Sequence, residues 1–88
     1  MKRRELKKTI NYLCGELLAE CIAAASYNKN VHEADVENVA KSILLMQADL
    51  VSRLSHVEPG STRLFFTRIR EEMIERTDEI VERIKALA

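Results

Sequence analysis

Apolar side chains return every three or four positions along the first part of the chain: Leu6, Ile10, Leu13, Cys14, Leu17, Leu18, Cys21, Ile22 and Ala25. At about 3.6 residues per turn they cover roughly half of a helix circumference, which predicts a helix over residues 2–27. Ala19, Ala23 and Ala24 smooth the adjoining surface, and Asn28-Lys29-Asn30 interrupts the period. A second stripe, Val36, Val39, Ala40, Ile43, Leu44, Met46, Leu50, Val51 and Leu54, predicts a helix over residues 31–56. Asn30 is a good N-cap residue, and Glu33 three positions later matches a capping box. The second helix should stop at Glu58-Pro59-Gly60-Ser61, because Pro59 disfavours helical backbone at Glu58 and Gly60 tolerates positive φ. A third stripe, Phe66, Ile69, Met73, Ile74, Ile80, Val81, Ile84 and Leu87, predicts a helix over residues 62–87, capped by Ser61 or Thr62.

Short connections favour antiparallel neighbours. The expected fold is therefore all-α: an up-down-up antiparallel three-helix bundle forming one domain over residues 1–88. The apolar arc of the first helix is wider than two neighbours require. Leu18, Ala19, Ile22 and Ala23, with Leu45, Leu64 and Phe65 outside the main stripes, are candidate self-association residues. The expectation is a homodimeric helical bundle.

Composition narrows the picture. Aromatic residues make up 5% of the chain and Trp is absent, so the core must be aliphatic. A domain of this size buries only about 60–65% of its extended surface, which leaves it little to spare. Lys2-Arg3-Arg4 resembles the basic start of a signal peptide, but Glu16 and Glu20 interrupt the apolar run that would have to follow. No uncharged stretch approaches the ~20 residues needed to cross a bilayer, so no membrane partner is expected. Cys14 and Cys21 lie ~10.5 Å apart along one helix, too far to bond to each other there. Two unpaired thiols suit a reducing compartment, and a cytoplasmic location is expected.

Fourteen cations balance fourteen anions, but antiparallel packing would separate them. Residues 1–14 and 46–70 hold nine cations against three carboxylates; the remainder holds five against eleven. Lys2, Arg3, Arg4, Lys7, Lys8, Arg53, Arg63 and Arg68 are the candidate anion or nucleic-acid contacts of this basic pole. The second helix is acidic first and basic last, as its dipole favours, whereas the first and third open with cations. A rule broken without visible structural gain is a place to look for function. The same poles would orient a dimer, since antiparallel association sets each basic end against its partner's acidic end.

Catalytic chemistry finds little support. Glu71, Glu72, Glu75, Asp78, Glu79 and Glu82 share the polar face of the third helix, where pairs such as Glu72–Arg76 and Glu79–Arg83 describe a solvated, ion-paired surface. His32 and His56 stand at opposite ends of the second helix, and no Glu-x-x-His occurs, so no metal site or other cofactor is expected. Cys14 and Cys21 lie on an apolar face, where thiols are inert; a nucleophilic pair of Cys14 with His56 is a remote alternative. Gln47, Arg70 and Thr77 intrude on the core stripes as a candidate polar layer that fixes helix register, with Asp49 or Glu16 in reach of Arg70. The expected function is non-catalytic: protein–protein contact with itself and with another protein as adaptor or regulator. Nucleic-acid or phosphate binding by the basic pole is the alternative.

Overall fold

The computed structural model describes residues 2–56 and 62–88, with Lys2 described in its backbone alone. Three helices result: α1 (Lys2–Tyr27), α2 (Glu33–Leu54) and α3 (Thr62–Leu87). The first and third keep the bounds that periodicity predicts. The second is two residues shorter at each end.

Asparagine chemistry accounts for the late start of α2. The Asn28 side-chain oxygen accepts the Asn30 N–H at 3.0 Å, and its amide nitrogen donates 2.8 Å to the carbonyl of Leu87 at the end of α3. The Val31 N–H donates 3.2 Å to the Asn28 carbonyl. These bonds hold Asn30 in a turn, so the predicted Asn30–Glu33 capping box does not form. His32, extended at φ −79° and ψ 129°, precedes the helix without a side-chain cap. At the other end, Ser55 and His56 close a tight turn onto the carbonyls of Ser52 and Arg53. The predicted stop at Glu58-Pro59-Gly60 and the Ser61 cap lie outside the described residues.

Cross-helix bonds fix the topology. Arg3 donates to Leu54, Gln47 to Asn11, and the Cys21 thiol to the Val36 carbonyl at 3.9 Å, so α1 and α2 run antiparallel. Arg53 meets Glu72, Arg76 meets Asp49, and Arg83 meets Ser42, so α2 and α3 are antiparallel as well. In that register Leu54 is level with Glu71. α3 begins beyond the last turn of α2, with Phe66 and Ile69 of its first turns still buried in the seam. This stagger makes the molecule 51 Å long, although a helix of 26 residues spans only ~39 Å.

The core is a single seam. Leu6, Ile10, Cys14, Leu17 and Cys21 meet Val39, Ile43, Met46, Leu50 and Leu54, with Phe66, Ile69, Ile80, Ile84 and Leu87 closing the third side. No charged or polar residue is buried in it among the described residues. Burying one side chain such as Ile43 or Leu50 contributes about 1.5–3 kcal/mol, so the fifteen residues of this seam dominate folding. Three residues assigned to core stripes by periodicity are instead exposed: Ile22 (64%), Leu44 (51%) and Ile74 (59%). Each stands at the flank of its stripe, beyond the arc that two neighbouring helices cover.

Candidate functional site

The basic end is partly consumed by the fold. The Arg3 guanidinium donates its Nε–H to the Leu54 carbonyl at 2.7 Å. The last carbonyls of a helix lack partners within it and carry the negative end of its dipole. A cation at the start of α1 therefore complements the end of α2, which supplies the structural gain that the sequence pattern concealed. Arg53 joins a ring in which two cations alternate with two carboxylates. It meets Glu72 and, at 3.7 Å, Asp49, while Arg76 meets Asp49 at 2.7 Å and Glu72 at 3.6 Å. Glu72 thus faces α2 and is half-buried, unlike the solvated face on which sequence placed it.

Arg4, Lys7 and Lys8 are exposed on α1, and Arg63, Arg68 and Arg70 on α3. Arg63 stands on the projecting turns, and Arg68 borders a shallow groove with Glu71 and Glu75. At this end Arg3 caps α2 and Arg53 belongs to the ion-pair ring, while Arg4, Lys7, Lys8, Arg63 and Arg68 keep exposed side chains.

The polar intruders do not form one layer. Gln47 donates its amide to the Asn11 side-chain oxygen at 2.8 Å, pinning α1 to α2. Arg70 is exposed, and Asp49 reaches Arg76 in its place. The Thr77 hydroxyl is buried without a partner, on the side of α3 that faces α1. No hydrogen bond among the described residues links these three. Sequence reading missed Asn11. Its signal is a second heptad-like stripe on α1, Asn11, Gly15, Leu18 and Ile22.

Both thiols are inert by position. Cys14 and Cys21 are buried, and burial pushes each thiol above its ordinary range; at Cys14 the charge of Arg76 opposes part of that rise. Cys14 is level with Ile43, thirteen positions and ~20 Å along the chain direction from His56. His56 is exposed and donates Nδ1–H to the Ser52 carbonyl at 2.9 Å. Among the described residues, no three His, Cys, Asp or Glu side chains gather as metal ligands would. No described helix is long and apolar enough to cross a membrane.

The self-association candidates divide into separate places. Leu18 and Ile22 lie where the outer surface of α1 meets α2, with Ala19 and Ala23 next to them, both exposed. Leu44 completes this strip from the α2 side, with half-buried Val36, Ala40 and Val51 above and below it. Sequence reading missed Leu44 as a surface residue because its period matches the core. Gly15 sits mid-helix beside it, and a Cβ there would meet nothing within 4 Å. Leu45, 67% exposed, points about 100° away around α2 and is not part of the strip. Leu64 and Phe65 occupy the projecting turns of α3, where Phe65 packs edge-to-face on Phe66 at 5.7 Å. The chain matches no protein-family model, no curated protein and no solved structure.

Proposed function

We propose that this chain is a non-catalytic helical protein that works through protein–protein contact, beginning with a second copy of itself across the α1–α2 face. The observation that carries this reading is the exposed strip of Leu18, Ile22, Leu44 and Gly15. Two large aliphatic side chains stand more than half exposed there, on either side of a glycine with open space before it. Glycine inside a helix costs about 1 kcal/mol relative to alanine. Nothing among the described residues requires Gly15, whereas close approach of another helix would.

Charge supports an antiparallel pairing. Arg4 and Lys8 flank one end of the strip, and Glu33 and Glu37 flank the other, ~30 Å away for the outer pair. Their midpoint falls at the level of Gly15 and Leu44. A two-fold axis there brings Arg4 and Lys8 of one copy to the level of Glu33 and Glu37 of the other. A parallel pairing would set like charges together. Sedimentation velocity on the wild type and on an Ile22→Glu, Leu44→Lys variant tests the reading. The wild type should dimerise at micromolar concentration, more weakly in high salt, and the variant should be monomeric with its helicity intact. A monomeric wild type, or a dimer indifferent to both substitutions, overturns it.

A further inference from the structure

A second apolar surface lies on the flank of α1 opposite the self-association strip, where α1 meets α3. We propose that this flank receives a basic amphipathic helix of another protein, as the fourth helix of a bundle. The surface is distinct from the one assigned to self-association and does not rest on it.

Its apolar part has the length and spacing of a helix contact. A cleft of about 350 Å³ separates the two helices, with Leu13 and Leu17 on one wall and Val81 and Ile84 on the other. Because α1 and α3 both run antiparallel to α2, they are parallel to each other, and each wall repeats at about one turn. Ile74, 59% exposed, stands two turns before Val81 on the same flank of α3 and carries the apolar line beyond the cleft. From Ile74 to Ile84 the line runs ~15 Å, close to the ~16 Å span of anchors at i, i+4, i+7 and i+11 on a docked helix. The chain's own helices do not supply that occupant, because each turns its main apolar stripe into the seam.

Charge sets the polar faces of the occupant. Glu16 and Glu20 stand one turn apart on the α1 rim, and Asp78 is exposed on the α3 rim, one turn from Ile74. None of the three pairs with a cation among the described residues. Lys85, the cation in the cleft, meets Glu82 at 3.4 Å, and that pair is neutral as a whole. Arg70, exposed one turn before Ile74, marks where the acidic stretch ends. The apolar line is therefore flanked on both sides by uncompensated carboxylates. Lysine or arginine beside the anchors of a docking helix would meet them. Each such exposed pair adds little alone, but together they orient the helix and speed its encounter. An acidic helix would meet repulsion along both rims.

A synthetic helical peptide of about 18 residues, with leucine at i, i+4, i+7 and i+11 and lysine on either flank, tests the surface. Fluorescence anisotropy should show it binding the full chain, and the methyl NMR signals of Leu13, Ile74, Val81 and Ile84 should shift. The Ile22→Glu, Leu44→Lys variant should bind it equally well. Ile74→Ala should weaken binding about tenfold through lost apolar contact. Glu16→Gln with Glu20→Gln should weaken it about fivefold, a loss that shrinks in high salt. Silent cleft methyls, or shifts centred on the α1–α2 strip, overturn the proposal. So does equal binding of a peptide with the same composition but scattered leucines, which would leave charge as the only attraction. Equal binding of the glutamate-for-lysine peptide, or indifference to both substitutions, overturns it as well. Concentration-dependent shifts of the cleft methyls in the Ile22→Glu, Leu44→Lys variant would instead assign the flank to a second copy of the chain and overturn it too.

Discussion

Replacing Arg3 by methionine asks whether the cationic start of α1 serves the fold. Methionine keeps an unbranched stem but removes the Nε–H that lies 2.7 Å from the Leu54 carbonyl. A hydrogen bond to a charged group is worth about 1.5–3 kcal/mol, and a cation at a helix C-terminus adds about 0.3–1 kcal/mol when ordered. Arg3 is an exposed residue, so solvent competes for its guanidinium, and the combined loss should fall to about 1 kcal/mol. At ~2.1 cal/mol/K per residue, a chain of 88 residues has an unfolding entropy near 185 cal/mol/K, so Tm should fall by about 5 °C. Arg4→Met is the control, because it removes the same charge one residue away, at an exposed side chain with no hydrogen bond among the described residues. It should change stability by less than about 0.5 kcal/mol. Urea and thermal unfolding at matched protein concentration provide the measurement, since self-association makes Tm depend on concentration. Equal effects of the two substitutions would refute the cap. The cations at the start of α1 would then lack a structural reason, which would favour anion binding as their role.

Other consequences are open to direct measurement. Gly15→Ala should stabilise the isolated chain by about 0.5–1 kcal/mol while raising the dimer dissociation constant, read by unfolding of the monomeric variant and by sedimentation of the wild-type background. Glu72→Gln should cost about 1 kcal/mol because it leaves Arg53 and Arg76 with Asp49 as their one shared carboxylate, and high salt should shrink that loss; Glu79→Gln should cost almost nothing. Burial raises the Cys14 and Cys21 thiols, so the native state holds those protons longer than the unfolded chain does. Their contribution is therefore complete below the unfolded thiol value of about 8.5 and is lost as pH rises from there towards the folded values. Tm measured against pH should steepen downwards above that point, and a Cys14→Ala, Cys21→Ala variant should show a shallower alkaline fall.

Helix count, chain direction and the inner seam were legible because they rest on period alone. Ile10, Ile43, Leu50 and Ile69 stand at the centre of their stripes, and all four are fully buried. What period cannot decide is where a stripe stops being core. Ile22, Leu44 and Ile74 have the right spacing but sit beyond the contact arc, and only the packing angle of the neighbouring helix reveals it. Helix ends were harder for another reason. Asn30 is a good capping residue by type, but it is held in a turn by Asn28, whose amide is anchored on the Leu87 carbonyl 59 positions away. Two cations of the basic pole have roles that sequence could not show. Arg3 and Arg53 look free along the chain, whereas their partners Leu54 and Glu72 come from other helices.

The central claim is an antiparallel pair centred on Gly15 and Leu44, and a distance between two identical labels tests it most directly. A spin label at Lys29, placed in a background with both buried cysteines changed to alanine, stands ~22 Å along the axis from that centre. Pulsed dipolar spectroscopy should then report a separation of about 45 Å between the two copies. A distance under about 25 Å, as parallel copies would give, or the absence of any dipolar coupling would contradict the account.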